Sequence, residues 1–217
     1  REIWSEFKTK YTAQVNSIKI GDVTDFRNFM NAVIDENAFD RITKYIDFAK
    51  KSDDSEIITG GGYDKSTGYF IEPTTIVTSN CSFRSMCEEI FGPVLTIYVY
   101  EQTWEEICQI VDSTSPYALT GAIFAEDKKY IDSGRKYLTH SAGNFYINDK
   151  PTGAVVGQQP FGGSRASGTN DKAGSPLNLY RWISVRTIKQ TFESPKNYEY
   201  PFMEEEWSQI YFQKYLP

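Results

Sequence analysis

Regular alternation of apolar β-type runs with amphipathic helical segments most restricts the fold of this 217-residue chain. Runs rich in β-branched residues predict strands at 94–100, 119–125 and 143–148, and helices are predicted between them at 103–113 and 127–138. Strands joined through helices of this length form βαβ units, and the right-handed crossover makes such strands parallel. We therefore predict an α/β fold in which these three strands lie parallel in one twisted sheet.

The segment that precedes this alternation is predicted to contain two helices and a hairpin. Apolar residues at helical intervals predict a first helix within 3–18 and a second at 35–51. A short strand is predicted at 57–59. The glycine-rich segment 60–68 predicts a hairpin-like excursion before an extended run at 69–77. The length suits one domain with a core, or one domain with an appendage.

The composition excludes several classes of function. A formal charge of -6 and a pI near 5.0 give no electrostatic basis for binding nucleic acid or an anionic membrane surface. No apolar run approaches the roughly 18 residues that a membrane span requires. Three cysteines at irregular spacing indicate neither a disulfide framework nor a zinc site. We expect a reducing compartment and, because His140 is the only histidine, no metal site.

The two ends of the chain have their own features. Arg1 is not an initiator methionine, so we expect either a removed leader or a chain that is part of a longer protein. A short helix is predicted near 177–180 and a strand at 182–192. The tail, 193–217, mixes aromatic with acidic residues and is expected to pack on this domain or on a partner subunit.

The segment 149–174, which follows the third strand, is rich in Gly, Pro, Ser, Thr and Asn. Ligands of a parallel α/β sheet bind beyond the carboxyl ends of its strands. A connection of this length is usually functional or disordered. We therefore expect a ligand site in this segment.

Two sequence motifs carry information beyond secondary structure. The first is EEIFGPV at 88–94, and the second begins as GNFYINDK at 143–150 and continues as GQQPFGGSRASGTNDK at 157–172. The first resembles a signature of the aldehyde dehydrogenase superfamily, many of whose members share the PFGG core. The longer second string is similar to that of the pyrroline-5-carboxylate (glutamate semialdehyde) dehydrogenases within this superfamily. YFIEP at 69–73 and DST at 112–114 also fit.

The resemblance covers about residues 1–192, and the tail after Phe192 does not match the pattern. It implies an aldehyde dehydrogenase catalytic-domain portion at 1–181, an oligomerisation strand at 182–192 that adds to a neighbouring subunit's sheet, and a C-terminal extension at 193–217. It further implies a homo-oligomer and, by the same resemblance alone, a location in the mitochondrial matrix.

The activity implied by the resemblance is an NAD-dependent oxidation of L-glutamate γ-semialdehyde to glutamate in proline catabolism. A cysteine thiolate attacks the aldehyde, hydride passes to the nicotinamide, and an activated water hydrolyses the thioester. The covalent intermediate divides one difficult reaction into two easier steps.

Two residues of the first motif resemble cofactor contacts. Glu89 resembles the glutamate that accepts hydrogen bonds from the nicotinamide ribose, since a carboxylate offers two acceptors to two hydroxyl donors. The alternative is a carboxylate bonded to backbone at a helix end. Phe91 resembles a residue that packs near the nicotinamide, and the alternative is an ordinary core phenylalanine. Glu88 is expected to form structural hydrogen bonds, and Gly92 and Pro93 to turn the chain into the strand.

Three residues of the second motif region resemble the anchor for the aldehyde substrate. Backbone N–H groups at Gly153 and Ala154 can bind the α-carboxylate without a side chain that crowds it. Ala154 stands where some relatives have serine, so one hydroxyl hydrogen bond is missing. Phe161 would pack against the aliphatic part of the substrate. The alternative is a glycine-rich loop that only turns.

The nucleophile implied by the resemblance is missing from this chain. Cys81, Cys87 and Cys108 do not occur in the family's glutamine-x-cysteine context, so we expect structural roles for them. The nucleophile, the general base and the oxyanion-hole asparagine are expected upstream of Arg1. We therefore expect the isolated chain to be inactive and its partners to be the missing N-terminal half or subunits of the same family. Two alternatives are a non-catalytic structural subunit of a larger assembly and a dehydrogenase for another aldehyde.

Overall fold

The computed structural model describes residues 3–151, 154–155, 157–200 and 203, and it divides the chain into two units, Arg1–Arg181 and Trp182–Pro217. The elements, in chain order, are α1 (Trp4–Asn16), α2 (Glu36–Lys51), β1 (Ser55–Thr59), β2 (Tyr63–Asp64), β3 (Phe70–Ile71), β4 (Thr74–Thr78), α3 (Arg84–Cys87), β5 (Val94–Tyr98), α4 (Trp104–Ser113), β6 (Tyr117–Ala118), β7 (Thr120–Ile123), α5 (Lys128–Tyr137), β8 (Asn144–Ile147), β9 (Ser164–Arg165) and a 3-10 helix (Pro176–Arg181). All of them belong to the first unit. Among the described residues, no helix has both the length and the apolar character needed to cross a bilayer.

The strands form one three-stranded sheet and three two-stranded pairs. In the larger sheet β4 lies between β1, which is antiparallel to it, and β5, which is parallel. β7 and β8 form the second parallel pair, and β2–β3 and β6–β9 are short antiparallel pairs. The α/β class with parallel strands and helical crossovers is thus confirmed.

The prediction that three strands share one sheet is wrong in one respect. Within the described residues β5 pairs only with β4, whereas β7 pairs with β8. Apolar periodicity identifies a strand but carries no information on which strand lies beside it. The hairpin predicted at 60–68 is confirmed as the β2–β3 pair.

Helix α2 supplies the core of the first unit. Its N-cap is Asp35, whose side chain accepts a hydrogen bond from the Ala38 N–H at 2.7 Å. Lysines lie in the last turn, where the helix dipole favours positive charge. Ile42 and Ile46 are fully buried, and the cluster that they form includes Ile90 of the EEIFGPV motif. This helix therefore anchors the motif.

Helix α1 forms where the apolar spacing predicts it, but its apolar face is largely open. Ile3 and Phe7 are 77% and 46% exposed. The helix is attached to the sheet through Tyr11, whose hydroxyl hydrogen-bonds the Thr75 hydroxyl at 2.9 Å. Helical spacing thus predicts the helix correctly, but it does not predict that the apolar face is exposed.

Helix α4 begins at a complete capping box. The Glu106 N–H donates to the Thr103 hydroxyl oxygen, and the Glu106 carboxylate accepts from the Thr103 N–H at 2.9 Å. On the buried face, Cys108 packs against Ile123 and Leu138.

We expect Thr103→Ala to lower the free energy of unfolding by about 1 kcal/mol, because the first turn of α4 loses its cap. Urea unfolding of the purified protein would measure this loss. Thr67→Ala, at an exposed loop position, is the control. Equal midpoints for the two variants would contradict the stabilising role of the capping box.

The described part of the second unit, residues 182–200 and 203, contains no hydrogen-bonded strand. Trp182, Val185, Ile188 and Phe192 are between 72% and 95% exposed. An oligomerisation strand at 182–192 stays a prediction, since such a strand needs a second sheet to supply its hydrogen-bond partners. Much of the predicted extension at 193–217 lies outside the described residues.

Candidate functional site

The EEIFGPV motif forms a sharp turn at the amino end of β5. Ile90 is 7% exposed and lies in the core, whereas Phe91, with a φ of 56°, is 81% exposed. A Cβ added at Gly92 would lie 2.4 Å from Ile42 Cδ1, so the chain packs directly on α2 at this point. A non-glycine residue in the left-handed region costs on the order of 1 kcal/mol. Such strain with an exposed aromatic ring is typical of a ligand-contacting position.

The role predicted for Glu88 is confirmed. The Tyr45 hydroxyl donates to Glu88 Oε2 at 2.6 Å, and Arg84 Nε donates to both carboxylate oxygens at 3.0 and 3.1 Å. The hydrogen bonds from Arg84 and then Tyr45 lower the pKa of Glu88, and the hydrogen bond to Glu88 raises the pKa of Tyr45. Glu88 thus ties the start of the motif to α2.

Glu89 differs from its neighbour. Its side chain is exposed and makes no hydrogen bond or ion pair to any part of the chain that the structure describes. The alternative of a carboxylate bonded to backbone at a helix end therefore has no support there. Because Glu88 and Ile90 are anchored on either side, Glu89 is held with both of its carboxylate oxygens available as acceptors.

Residues 157–172, which we call the substrate-side segment after the role predicted for Phe161, contact β8 through Gln159, Pro160 and Gly162. Phe161 is half-buried, and its backbone forms an antiparallel bridge with Ala173, with N···O distances of 2.8 and 2.7 Å. The Asn144 side chain donates to Pro160 O and accepts from the Gly162 N–H, each at 3.1 Å. Backbone on both sides of Phe161 is therefore fixed by one asparagine.

The position of Phe161 differs from the expectation that candidate site residues lie beyond the carboxyl ends of the strands. Asn144 is the first residue of β8, so Phe161 lies near the amino end of that strand and not beyond its carboxyl end. Gln159 and Pro160 run back along the strand, since the Tyr146 hydroxyl donates to Gln159 Oε1 at 3.4 Å and the Asn144 side chain donates to Pro160 O. The first motif likewise precedes the amino end of β5.

Of the other predicted anchor residues, the structure describes only one. Gly153 lies outside the described residues. Ala154 is half-buried and precedes a turn in which the Gln158 and Gln159 N–H groups donate to Val155 O at 3.0 and 2.8 Å. The roles of Gly153, Ala154 and Phe161 stay predictions.

Ser115 and Pro116, which the sequence did not indicate as site residues, form hydrogen bonds with both motif regions. Ser115 Oγ donates to Cys87 O at 3.3 Å, beside the first motif, and the Ala166 N–H donates to Pro116 O at 3.0 Å. Nearby, Arg165 donates to the backbone and carboxylate oxygens of Asp112 at 2.7 and 2.6 Å.

The charge of Asp112 is stabilised at this junction. Hydrogen bonds from Ser141 and then from Arg165 lower the pKa of Asp112. In the sequence, only the family-like string DST at 112–114 indicates that Asp112 matters. It does not indicate that Arg165 is the partner of Asp112. The Asp112–Arg165 pair holds the substrate-side segment to the end of α4.

The environment of Cys108 does not suit nucleophilic catalysis. Cys108 is 2% exposed, and burial raises the pKa of its thiol, which disfavours the reactive thiolate. Cys81 and Cys87 are half-buried. His140 is exposed, and the described residues include no group of three or more His, Cys, Asp or Glu that could hold a metal ion.

A cavity of about 410 Å³ lies beside the substrate-side segment. Its walls include Asn144, Tyr146, Pro160 and Lys172. A larger cavity of about 550 Å³ lies near Trp4 and the ends of β4 and β5. None of the predicted site residues that the structure describes lines either cavity, but the smaller one is bordered by Pro160, the residue before Phe161.

The sequence profile of the aldehyde dehydrogenase family matches residues 1–188. The chain therefore belongs to the aldehyde dehydrogenase family. It is 57% identical, over 204 residues, to the mitochondrial delta-1-pyrroline-5-carboxylate dehydrogenase of Dictyostelium discoideum, covering 94% of this chain and 37% of that relative. A crystal structure of delta-pyrroline-5-carboxylate dehydrogenase from Mycobacterium tuberculosis superposes with a TM-score of 0.83 at 44% identity, covering 94% of this chain and 38% of that one.

A second structure of the Mycobacterium tuberculosis enzyme, bound with NAD, has a TM-score of 0.81 at 43% identity and covers 94% of this chain and 37% of that chain. The resemblance to the pyrroline-5-carboxylate dehydrogenases is thus confirmed. The chain spans about 37% of the length of the Dictyostelium relative. The family profile ends at residue 188, in agreement with the expectation that the tail after Phe192 falls outside the family pattern, and the alignment with the Dictyostelium relative extends into part of that tail.

Proposed function

We propose that this chain is the C-terminal part of an NAD-dependent dehydrogenase that oxidises L-glutamate γ-semialdehyde, the open form of pyrroline-5-carboxylate, to glutamate in proline catabolism. The observation that carries the proposal is the 57% identity over 94% of the chain with a relative named for pyrroline-5-carboxylate. The family profile, which matches residues 1–188, spans the segments that form both candidate site surfaces.

The cofactor role rests on two residues of the first motif. The Glu89 carboxylate, anchored through its neighbours and unbonded in the described part of the chain, suits two hydroxyls of a nicotinamide ribose. Phe91 presents an exposed ring from a strained backbone and would pack near the nicotinamide. NAD, when bound, supplies the hydride acceptor, and these side chains would orient it.

The substrate role rests on Gly153, Ala154 and Phe161. Backbone N–H groups of the first two would bind the α-carboxylate. The Phe161 ring would cover the methylene groups of the substrate and exclude water from them, and its backbone is already fixed by Ala173 and Asn144. Fixed contacts of this kind orient a small substrate at little entropic cost.

The remaining machinery is proposed to lie upstream. The nucleophilic cysteine, the general base and the oxyanion-hole asparagine would come from residues that precede Arg1 in the complete enzyme. We place the complete enzyme in the mitochondrial matrix, and the word mitochondrial in the name of the Dictyostelium relative supports the organelle. A homo-oligomer is supported by the exposed apolar residues of 182–192, which suit strand addition to a neighbouring subunit.

The proposal is tested by two variants of the complete enzyme with opposite effects. Phe161→Ala is expected to raise KM for the semialdehyde roughly tenfold or more, on the scale of one buried aromatic contact, while KM for NAD changes little. Glu89→Ala should raise KM for NAD and spare the semialdehyde. Steady-state kinetics with each substrate varied in turn measures both.

Phe26→Ala is the matched control, because Phe26 is 98% exposed. It should leave both KM values unchanged. An unchanged semialdehyde KM in Phe161→Ala would refute the anchor assignment, and an unchanged NAD KM in Glu89→Ala would refute the ribose assignment.

A further inference from the structure

Lys172, the last residue of the GQQPFGGSRASGTNDK string, makes contacts that the proposed function does not use. Its Nζ donates to Gly143 O at 2.6 Å and to Gly162 O at 3.1 Å. The first carbonyl lies directly before β8, and the second belongs to the residue after Phe161. One ammonium group therefore joins two backbone segments that lie far apart in the sequence.

The backbone of Lys172 is itself held in an unfavourable conformation. Its φ is 57°, in the left-handed region that lysine rarely adopts. Ser175 fixes this conformation, since its hydroxyl and its N–H both donate to Lys172 O, at 2.8 and 3.1 Å. Strain of this kind persists only where the surroundings fix it, and it clusters at functional sites.

The two segments approach so closely that little movement is possible between them. A Cβ added at Gly143 would lie 1.9 Å from Gly162 O. One ammonium group can satisfy both carbonyl oxygens, because it offers three donors and no acceptor. Without it, the Gly162 carbonyl would lose this partner next to a cavity of about 410 Å³ that Lys172 lines.

We propose that Lys172 is a positioning residue for substrate recognition. Its ammonium group holds the Pro160–Gly162 backbone against β8 and so keeps the Phe161 ring in the position from which it contacts the aldehyde substrate. This inference rests on the proposed function, since it assigns Lys172 to the same substrate surface. Asn144 and Ala173 fix the backbone polar groups around Phe161, and Lys172 fixes the Gly162 carbonyl that they leave free.

The experiment compares Lys172→Met, Lys172→Arg and Lys44→Met in the complete enzyme. Methionine keeps the length of the side chain but has no donor, whereas arginine retains charge and donors. Lys44 is an exposed residue of α2 and serves as the control for a surface lysine. Two quantities are measured: amide hydrogen exchange at Phe161 and Gly162, and KM for the semialdehyde and for NAD.

We expect Lys172→Met to raise the exchange rate of both amides and the semialdehyde KM roughly tenfold, the scale of one charge-assisted hydrogen bond, with KM for NAD within about twofold of wild type. Lys172→Arg should recover most of both effects, and Lys44→Met should match wild type. If Lys172→Met does not fold, Lys172→Arg must still raise the semialdehyde KM, by less than the rise expected for Lys172→Met, and must leave KM for NAD unchanged.

Three results would overturn the proposal. Unchanged amide exchange in Lys172→Met would show that the ammonium does not hold the segment. Faster exchange with an unchanged semialdehyde KM would show that the bridge has no part in recognition. Equal rises in KM for the semialdehyde and for NAD would indicate that the substitution loosens the enzyme generally and does not act on semialdehyde recognition. A wild-type enzyme without semialdehyde oxidation would instead refute the proposed function and recognition by Lys172, while the exchange data would still report whether the bridge holds the backbone.

Discussion

Replacing Gly143 with alanine is expected to lower the free energy of unfolding by roughly 3 kcal/mol or more, because the new methyl group has no space. Its Cβ would lie 1.9 Å from Gly162 O and 2.7 Å from Gly163 Cα, and both are backbone atoms that cannot rotate away. Neither segment is free to retreat. The Gly143 N–H donates to Ala118 O at 3.0 Å, and the Gly162 N–H donates to Asn144 Oδ1 at 3.1 Å.

Urea unfolding of the complete enzyme measures this effect, with Gly121→Ala as the matched control. Gly121 lies in β7, the strand that pairs with β8, but its added Cβ would meet only the Ala142 side chain, at 3.2 Å. We expect the control to lose less than about 1 kcal/mol. A Gly143→Ala midpoint equal to that of the control would show that the two segments do not approach as closely as the structure describes.

The second large effect concerns the isolated chain. Purified without upstream residues, the 217-residue chain is expected to show no detectable NAD-dependent oxidation of pyrroline-5-carboxylate. None of its cysteines follows the glutamine-x-cysteine pattern, and the buried Cys108 has a raised thiol pKa. The covalent step therefore has no nucleophile. NADH formation, followed by absorbance, measures turnover.

A matched variant of the complete enzyme supplies the control for this prediction. Cys81→Ser together with Cys87→Ser should leave kcat within about twofold of wild type, since the proposed nucleophile lies upstream. Turnover by the isolated chain, or loss of turnover in the double variant, would contradict the assignment. Cys108 is left unchanged because its replacement would disturb the core beside Ile123 and Leu138.

Local chemistry explains which parts of the fold the sequence predicts well. The capping box at Thr103 and Glu106 places the start of α4 correctly, because both of its hydrogen bonds are formed within four residues. The N-cap at Asp35 does the same for α2. Strand neighbours are harder to predict, since β5 and β7 have the same apolar character and pair with different partners.

The sequence likewise predicts some features of the candidate site and not others. Motif resemblance identifies Glu89, Phe91 and Phe161 as candidates, and it predicts a turn at Gly92 that the structure shows packed on α2. It gives no sign of the Lys172 bridge to Gly143, whose partners are 29 residues apart. A contact of this separation depends on the path of the chain between the two residues, and neither residue type nor spacing encodes that path.

The most direct test of the account is kcat/KM of the complete enzyme for L-glutamate γ-semialdehyde, compared with an aldehyde of equal chain length that lacks the α-carboxylate and α-ammonium groups. We predict NAD-dependent oxidation of the semialdehyde with a preference of roughly a hundredfold or more, because the anchor loses its charged partners in the analogue. Equal values for the two aldehydes, or no oxidation of the semialdehyde, would contradict the assignment of this chain to a glutamate-semialdehyde dehydrogenase.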